Sequence, residues 1–113
     1  MRNTRMISQN KVKIENVLSD WFSSDVFSED GVFIKRIEGE NCKITIFIAE
    51  DYYFRINSTL TLTVIVEETA DKTTVEIVSS GGKTRLSGFS YGAEKSAVKR
   101  IAKLLKENGF TEQ

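Results

Sequence analysis

The middle of the chain carries a pattern that suits one conformation. From Thr59 to Glu67 the sequence puts Leu60, Leu62, Val64 and Val66 on one side of an extended strand. Thr59, Thr61, Thr63, Ile65 and Glu67 fall on the other. In a helix the same apolar residues would split between opposite sides and leave no stripe to bury. A lone strand cannot satisfy its backbone, so this segment demands neighbours. Val32 to Ile37, Ile44 to Ala49, Thr73 to Ser80 and Thr84 to Phe89 supply candidates. Ile44, Ile46 and Ile48 alternate with Thr45, Phe47 and Ala49, as expected of a strand with one core face. That reading leaves Phe47 with Ile65 and Val78 on a threonine-rich opposite face. Turns are expected at Asp30-Gly31, Asp71-Lys72 and Gly81-Gly82. Glu50 to Ser58, with Tyr52, Tyr53 and Phe54, reads as strand ends plus an aromatic loop.

On both sides of this region the period changes. Between residues 10 and 26, Ile14, Val17, Leu18, Trp21 and Phe22 recur at steps of three and four, the stripe of an amphipathic helix. Between residues 93 and 108, Ala97, Val98, Ile101, Leu104 and Leu105 repeat that pattern. Asn108-Gly109 is a natural C-cap, and Lys103 and Lys106 complement the helix dipole. Phe110 is placed to fold back over the last turn. Residues 1–9 read as a flexible tail, and residues 10–113 as one domain. The expected fold is α+β: two layers, with an antiparallel sheet of four or five strands and the N- and C-terminal helices packed on one face.

Composition narrows the chemistry. The 113 residues include 16 basic and 16 acidic side chains, so no net positive field draws the chain to a phosphate backbone. Nucleic acid is not an expected partner. Histidine is absent, which removes the commonest neutral-pH general base and metal ligand. Cys42 is the single cysteine, so no disulfide forms within the chain, as suits a reducing compartment. No segment has the length and apolarity of a bilayer span, and the polar start is unlike a secretory signal. The expectation is a cytoplasmic protein with no membrane partner and no cofactor.

Short motifs resolve mostly into turns. Gly82-Lys83-Thr84 imitates the end of a phosphate-binding loop, but Ile77 stands where that loop needs its first glycine. Asn57-Ser58-Thr59 fits a glycosylation acceptor but reads as a turn entering a strand. Glu50 and Asp51 alternate across a strand and so do not share a site. Cys42 beside Lys43 has no histidine to activate it.

Leu60-Thr61-Leu62-Thr63, the run Val75 to Gly82 with its closing Ser80-Gly81-Gly82, and Tyr91-Gly92-Ala93-Glu94 carry a resemblance. Over about residues 40–105 the chain resembles a family of small uncharacterised proteins of low-GC Gram-positive bacteria, known as a domain of unknown function. The resemblance implies a bacterial protein and brings no catalytic residues. Physically, Gly81-Gly82 suits a turn, and Ser90 with Glu94 suits a helix start.

Three uses of such a domain follow. The leading one is a non-enzymatic binding or assembly module that forms a homodimer through the exposed sheet face, where Phe47 and Ile65 would otherwise be wetted. The alternative is a small-ligand or anion-binding domain with a pocket between sheet and helices. Its candidate ligand-binding residues are Tyr52, Tyr53, Gly81, Gly82, Tyr91 and Gly92. An enzyme built on carboxylates, tyrosine and arginine ranks last.

Overall fold

Runs of β-branched residues separated by short polar turns build the sheet, as a computed structural model of residues 2–9, 13–23, 32–53, 58–80 and 89–113 describes. The elements are β1 (Arg2–Ser8), α1 (Ile14–Phe22), β2 (Val32–Glu38), β3 (Cys42–Tyr53), β4 (Ser58–Thr69), β5 (Thr73–Ser80), α2 (Phe89–Glu107) and β6 (Thr111–Glu112). The sheet order is β2-β3-β4-β5-β1-β6. Every neighbouring pair is antiparallel. Two tight hairpins fix the register of β2 on β3 and of β4 on β5: Gly39 N–H donates to Cys42 O at 2.7 Å, and Thr69 N–H donates to Lys72 O at 2.9 Å.

The α+β expectation therefore stands, with corrections in detail. The sheet has six strands rather than four or five. Residues 2–8, expected to be a flexible tail, form β1, which fills the place between β5 and β6. Its residues alternate without a strong apolar signal, and pairing on both edges rather than side-chain propensity holds it extended. The two helices are thus not terminal: β1 precedes α1 and β6 follows α2. Phe89, expected to end a fifth strand, begins α2 instead, while residues 84–88 of that expected strand lie outside the described residues. Glu50 to Tyr53 continue β3 and Ser58 opens β4, the strand ends expected there, while residues 54–57 of the expected aromatic loop lie outside the described residues.

The core lies between one sheet face and the helices. Phe47 and Ala49 of β3, Leu62, Val64 and Val66 of β4, and Val75 and Ile77 of β5 meet Ile14, Leu18 and Phe22 of α1 and Val98, Ile101 and Leu105 of α2. Phe22 stacks on Phe47 with ring centroids 5.1 Å apart, docking α1 on β3. Phe47, expected on the outer face, is fully buried. The register explains the correction. Phe47 pairs with Val64, and Val64 with Ile77, so β3 turns its Thr45, Phe47, Ala49 side inward and its three isoleucines outward.

The end of α2 is built as its sequence suggests. Gly109 takes φ +91°, the left-handed conformation that glycine adopts without cost. Phe110 N–H donates to Leu105 O at 3.0 Å and Gly109 N–H to Lys106 O at 3.2 Å, the paired bonds of a Schellman cap. This turn buries Phe110 in the core and delivers Thr111 opposite Ile7.

Candidate functional site

With both helices on one side, the register sets the content of the other face row by row. One row runs Phe33, Ile48, Thr63, Val78, Asn3 from β2 to β1. The next runs Lys35, Ile46, Ile65, Glu76, Arg5, and a third Ile37, Ile44, Glu67, Thr74, Ile7. Apolar side chains concentrate on β2 and β3 and thin out toward β1. Phe33 is 56% exposed and Ile37 45%, the two large apolar residues that the described structure leaves most open to water. Ile44, Ile46, Ile48 and Ile65 are half-buried, each shielded by its neighbours within the sheet. Burial of a fully exposed side chain of this size is worth about 1.5–3 kcal/mol. Their joint exposure on one flat surface is thus a standing cost to a solitary chain.

Charge on this face is sparse and asymmetric. Lys35 lies exposed on the β2 edge and makes no ion pair among the described residues. Glu76, three strands away in the same row, accepts a hydrogen bond from Asn3 Nδ2 at 3.0 Å. Arg5 is its cross-strand neighbour on β1.

The helix side of the sheet carries charge at one corner. Glu15, in the first turn of α1, reaches down to the sheet. Lys43 Nζ donates to its carboxylate at 2.7 Å, and Arg36 Nε donates to its other oxygen. The bond from Lys43 and then that from Arg36 hold the Glu15 carboxyl below its ordinary range, against a desolvation that opposes them. Lys43 is pushed up by the same contact. This corner opens into a cleft of about 570 Å³ between the start of α1 and the two hairpin turns. Its lining includes Glu15, Glu38, Glu40 and Glu68 against Lys13 and Lys43, a balance that disfavours anions. Cys42 is a half-buried free thiol in its wall. No group of three or more acidic or cysteine side chains among the described residues is placed to hold a metal ion.

Tyr52 and Tyr53 lie in the last turn of chain along β3, opposite Thr59 and Ser58. Tyr91 and Gly92 lie in the first turns of α2. Gly81 and Gly82, and with them the imitation phosphate loop, lie outside the described residues. What the sequence reading missed is the outward isoleucine set of β3, with Phe33 and Ile37 beside it. The signal was available in the run from Ile44 to Ala49, apolar on both parities. Such a strand has two faces to cover, and the aromatic in it is the better core residue against Ala49 and Thr45.

No helix among the described residues is long and apolar enough to cross a membrane. No curated protein and no solved structure matches the chain. A family match does extend over residues 4–109, taking in β1 and α1 as well as the segment whose resemblance the sequence carries. With nearly the whole fold inside the match, the chain belongs to a family of unknown function, DUF6054.

Proposed function

We propose that this protein is a non-enzymatic binding and assembly module that forms a homodimer through the helix-free face of its sheet. The observation that carries the reading is the apolar surface of Phe33, Ile37, Ile44, Ile46, Ile48 and Ile65 on the side away from both helices. A face covered by helices needs such residues. A face turned to water alternates to polar ones, as β4 does at Thr61 and Thr63. Five strands and the three rows named above give this face a projected area of about 500 Å², from ordinary strand spacing and rise. A specific dimer buries roughly 600–1,000 Å² on each partner, an area that this face reaches together with its rim. A second copy is the simplest occupant, since twofold dimers are the commonest soluble oligomers.

Sedimentation equilibrium at micromolar concentration tests the reading. The wild type should sediment as a dimer. Ile65→Lys, central on the face and half-buried, should shift it to monomer without unfolding it. A monomeric wild type at 100 times that concentration range would remove the proposal.

A further inference from the structure

The helix-free face also carries a pattern that selects one way of meeting its own copy. We propose that two copies pack sheet on sheet about a twofold axis parallel to the strands and running between β3 and β4, so that Lys35 of each lies against Glu76 of the other. This rests on the reading of the face as a self-docking surface and adds its geometry.

The argument follows from the rows. A twofold axis along the strands maps each row onto itself in reverse. Placed between β3 and β4, it exchanges β2 with β5 and β3 with β4. In the central row Ile46 then covers Ile65, and Lys35 covers Glu76. In the next row Phe33 covers Val78 and Ile48 covers Thr63. Phe33, the most exposed of the large apolar residues, thereby gains an apolar cover. Lys35, which makes no ion pair among the described residues of its own chain, gains a carboxylate.

The alternatives serve the same residues worse. Moving the axis onto β4 exchanges β2 with β1 and β3 with β5. Lys35 would then face Arg5 and Glu67 would face its own copy, two like-charge contacts, whereas the axis between β3 and β4 sets Glu67 against Ile44. Turning the axis across the strands through the central row sets Lys35 on Lys35 and Glu76 on Glu76. Like charges brought together in a desolvated interface cost several kcal/mol. Packed sheets stand about 10 Å apart, a gap that an extended lysine and an extended glutamate bridge between them. The axis lies about 7 Å from both side chains at ordinary strand spacing, close enough that the rotation of about 30° between packed sheets does not separate them.

Reciprocal charge exchange at these two positions, read by sedimentation equilibrium, tests the geometry. Lys35→Glu and Glu76→Lys should each raise the dimer dissociation constant by about tenfold, the scale of a close interfacial charge pair. The double variant, with the charges exchanged, should return to within about threefold of wild type, as a coupled pair requires. Single effects that add in the double variant, or single variants that leave the constant unchanged, overturn the geometry. In that event Ile65→Lys still reports on the face itself, and loss of the dimer there leaves the face reading intact. A monomeric wild type removes both together.

Discussion

The two faces of the sheet are built from the same strands and nearly the same residue types, yet their burial differs. In β3, Thr45, Phe47 and Ala49 are fully buried under the helices, while Ile44, Ile46 and Ile48 are only half-buried on the other side. In β2, Ile34 packs on the edge of the core and its neighbour Phe33 stands more than half exposed. Hydrophobicity does not separate the faces; partners do. The helix side has Phe22 and its neighbours to cover it, and the other side has no cover within the described chain. A strand apolar on both parities in a sheet with helices on one face is therefore a sign of an unfinished layer.

The largest test of this contrast is the neighbouring pair Phe47 and Ile48. Phe47→Ala would leave a cavity beneath Phe22 and should cost about 3–5 kcal/mol, measured by urea denaturation. Ile48→Ala, one residue along, removes only half-buried surface and should cost about 1 kcal/mol or less in the monomer. Equal costs at the two positions would mean that the two faces are covered alike.

A smaller effect is expected where α1 is tied to the sheet. Glu15→Gln removes the charge and one of the two acceptor oxygens that serve Lys43 and Arg36, and should cost about 1 kcal/mol at neutral pH, a value kept low by the exposure of the Arg36 side chain. Its pH dependence has a definite sign. The Glu15 carboxyl is held below its ordinary value of 4.5, so its stabilisation is present above that pH and is lost as pH falls through the lowered value. The difference between wild type and Glu15→Gln should shrink over that acid range. A difference that grows on acidification would contradict the tie.

The contrast also shows what the sequence could and could not disclose. Both helices and β3 to β5 are legible because each has a clear period, and the Asn108-Gly109 cap because φ > 0 leaves few residue choices. β1 is not legible: Arg2 to Ser8 owes its extension to pairing with β5 and β6, contacts that span most of the chain. The parity of β3 is not legible for a related reason. Local alternation fixes that a strand has two sides, whereas the hairpin pairing Ile44 to Glu67 and Phe47 to Val64 decides which side turns inward. Of the face expected from Phe47, Ile65 and Val78, the last two lie on it and Phe47 does not, and its largest members, Phe33 and the β3 isoleucines, follow only from the register.

The smallest expected effect separates the faces most cleanly, because it changes one atom's chemistry and almost no shape. Thr45 is fully buried on the helix side, and its hydroxyl has no hydrogen-bond partner among the described residues. A buried hydroxyl left unpaired costs about 1–3 kcal/mol of desolvation, which the methyl group of valine does not incur. Thr45→Val should therefore stabilise the fold by about 1 kcal/mol, read as a higher urea midpoint at unchanged slope. Thr63, half-buried on the helix-free face, keeps access to water in the monomer. Thr63→Val should accordingly shift stability by no more than about 0.5 kcal/mol. If Thr45→Val destabilises while Thr63→Val does not, the Thr45 hydroxyl is satisfied, and the helix-covered face is wetter than its packing indicates.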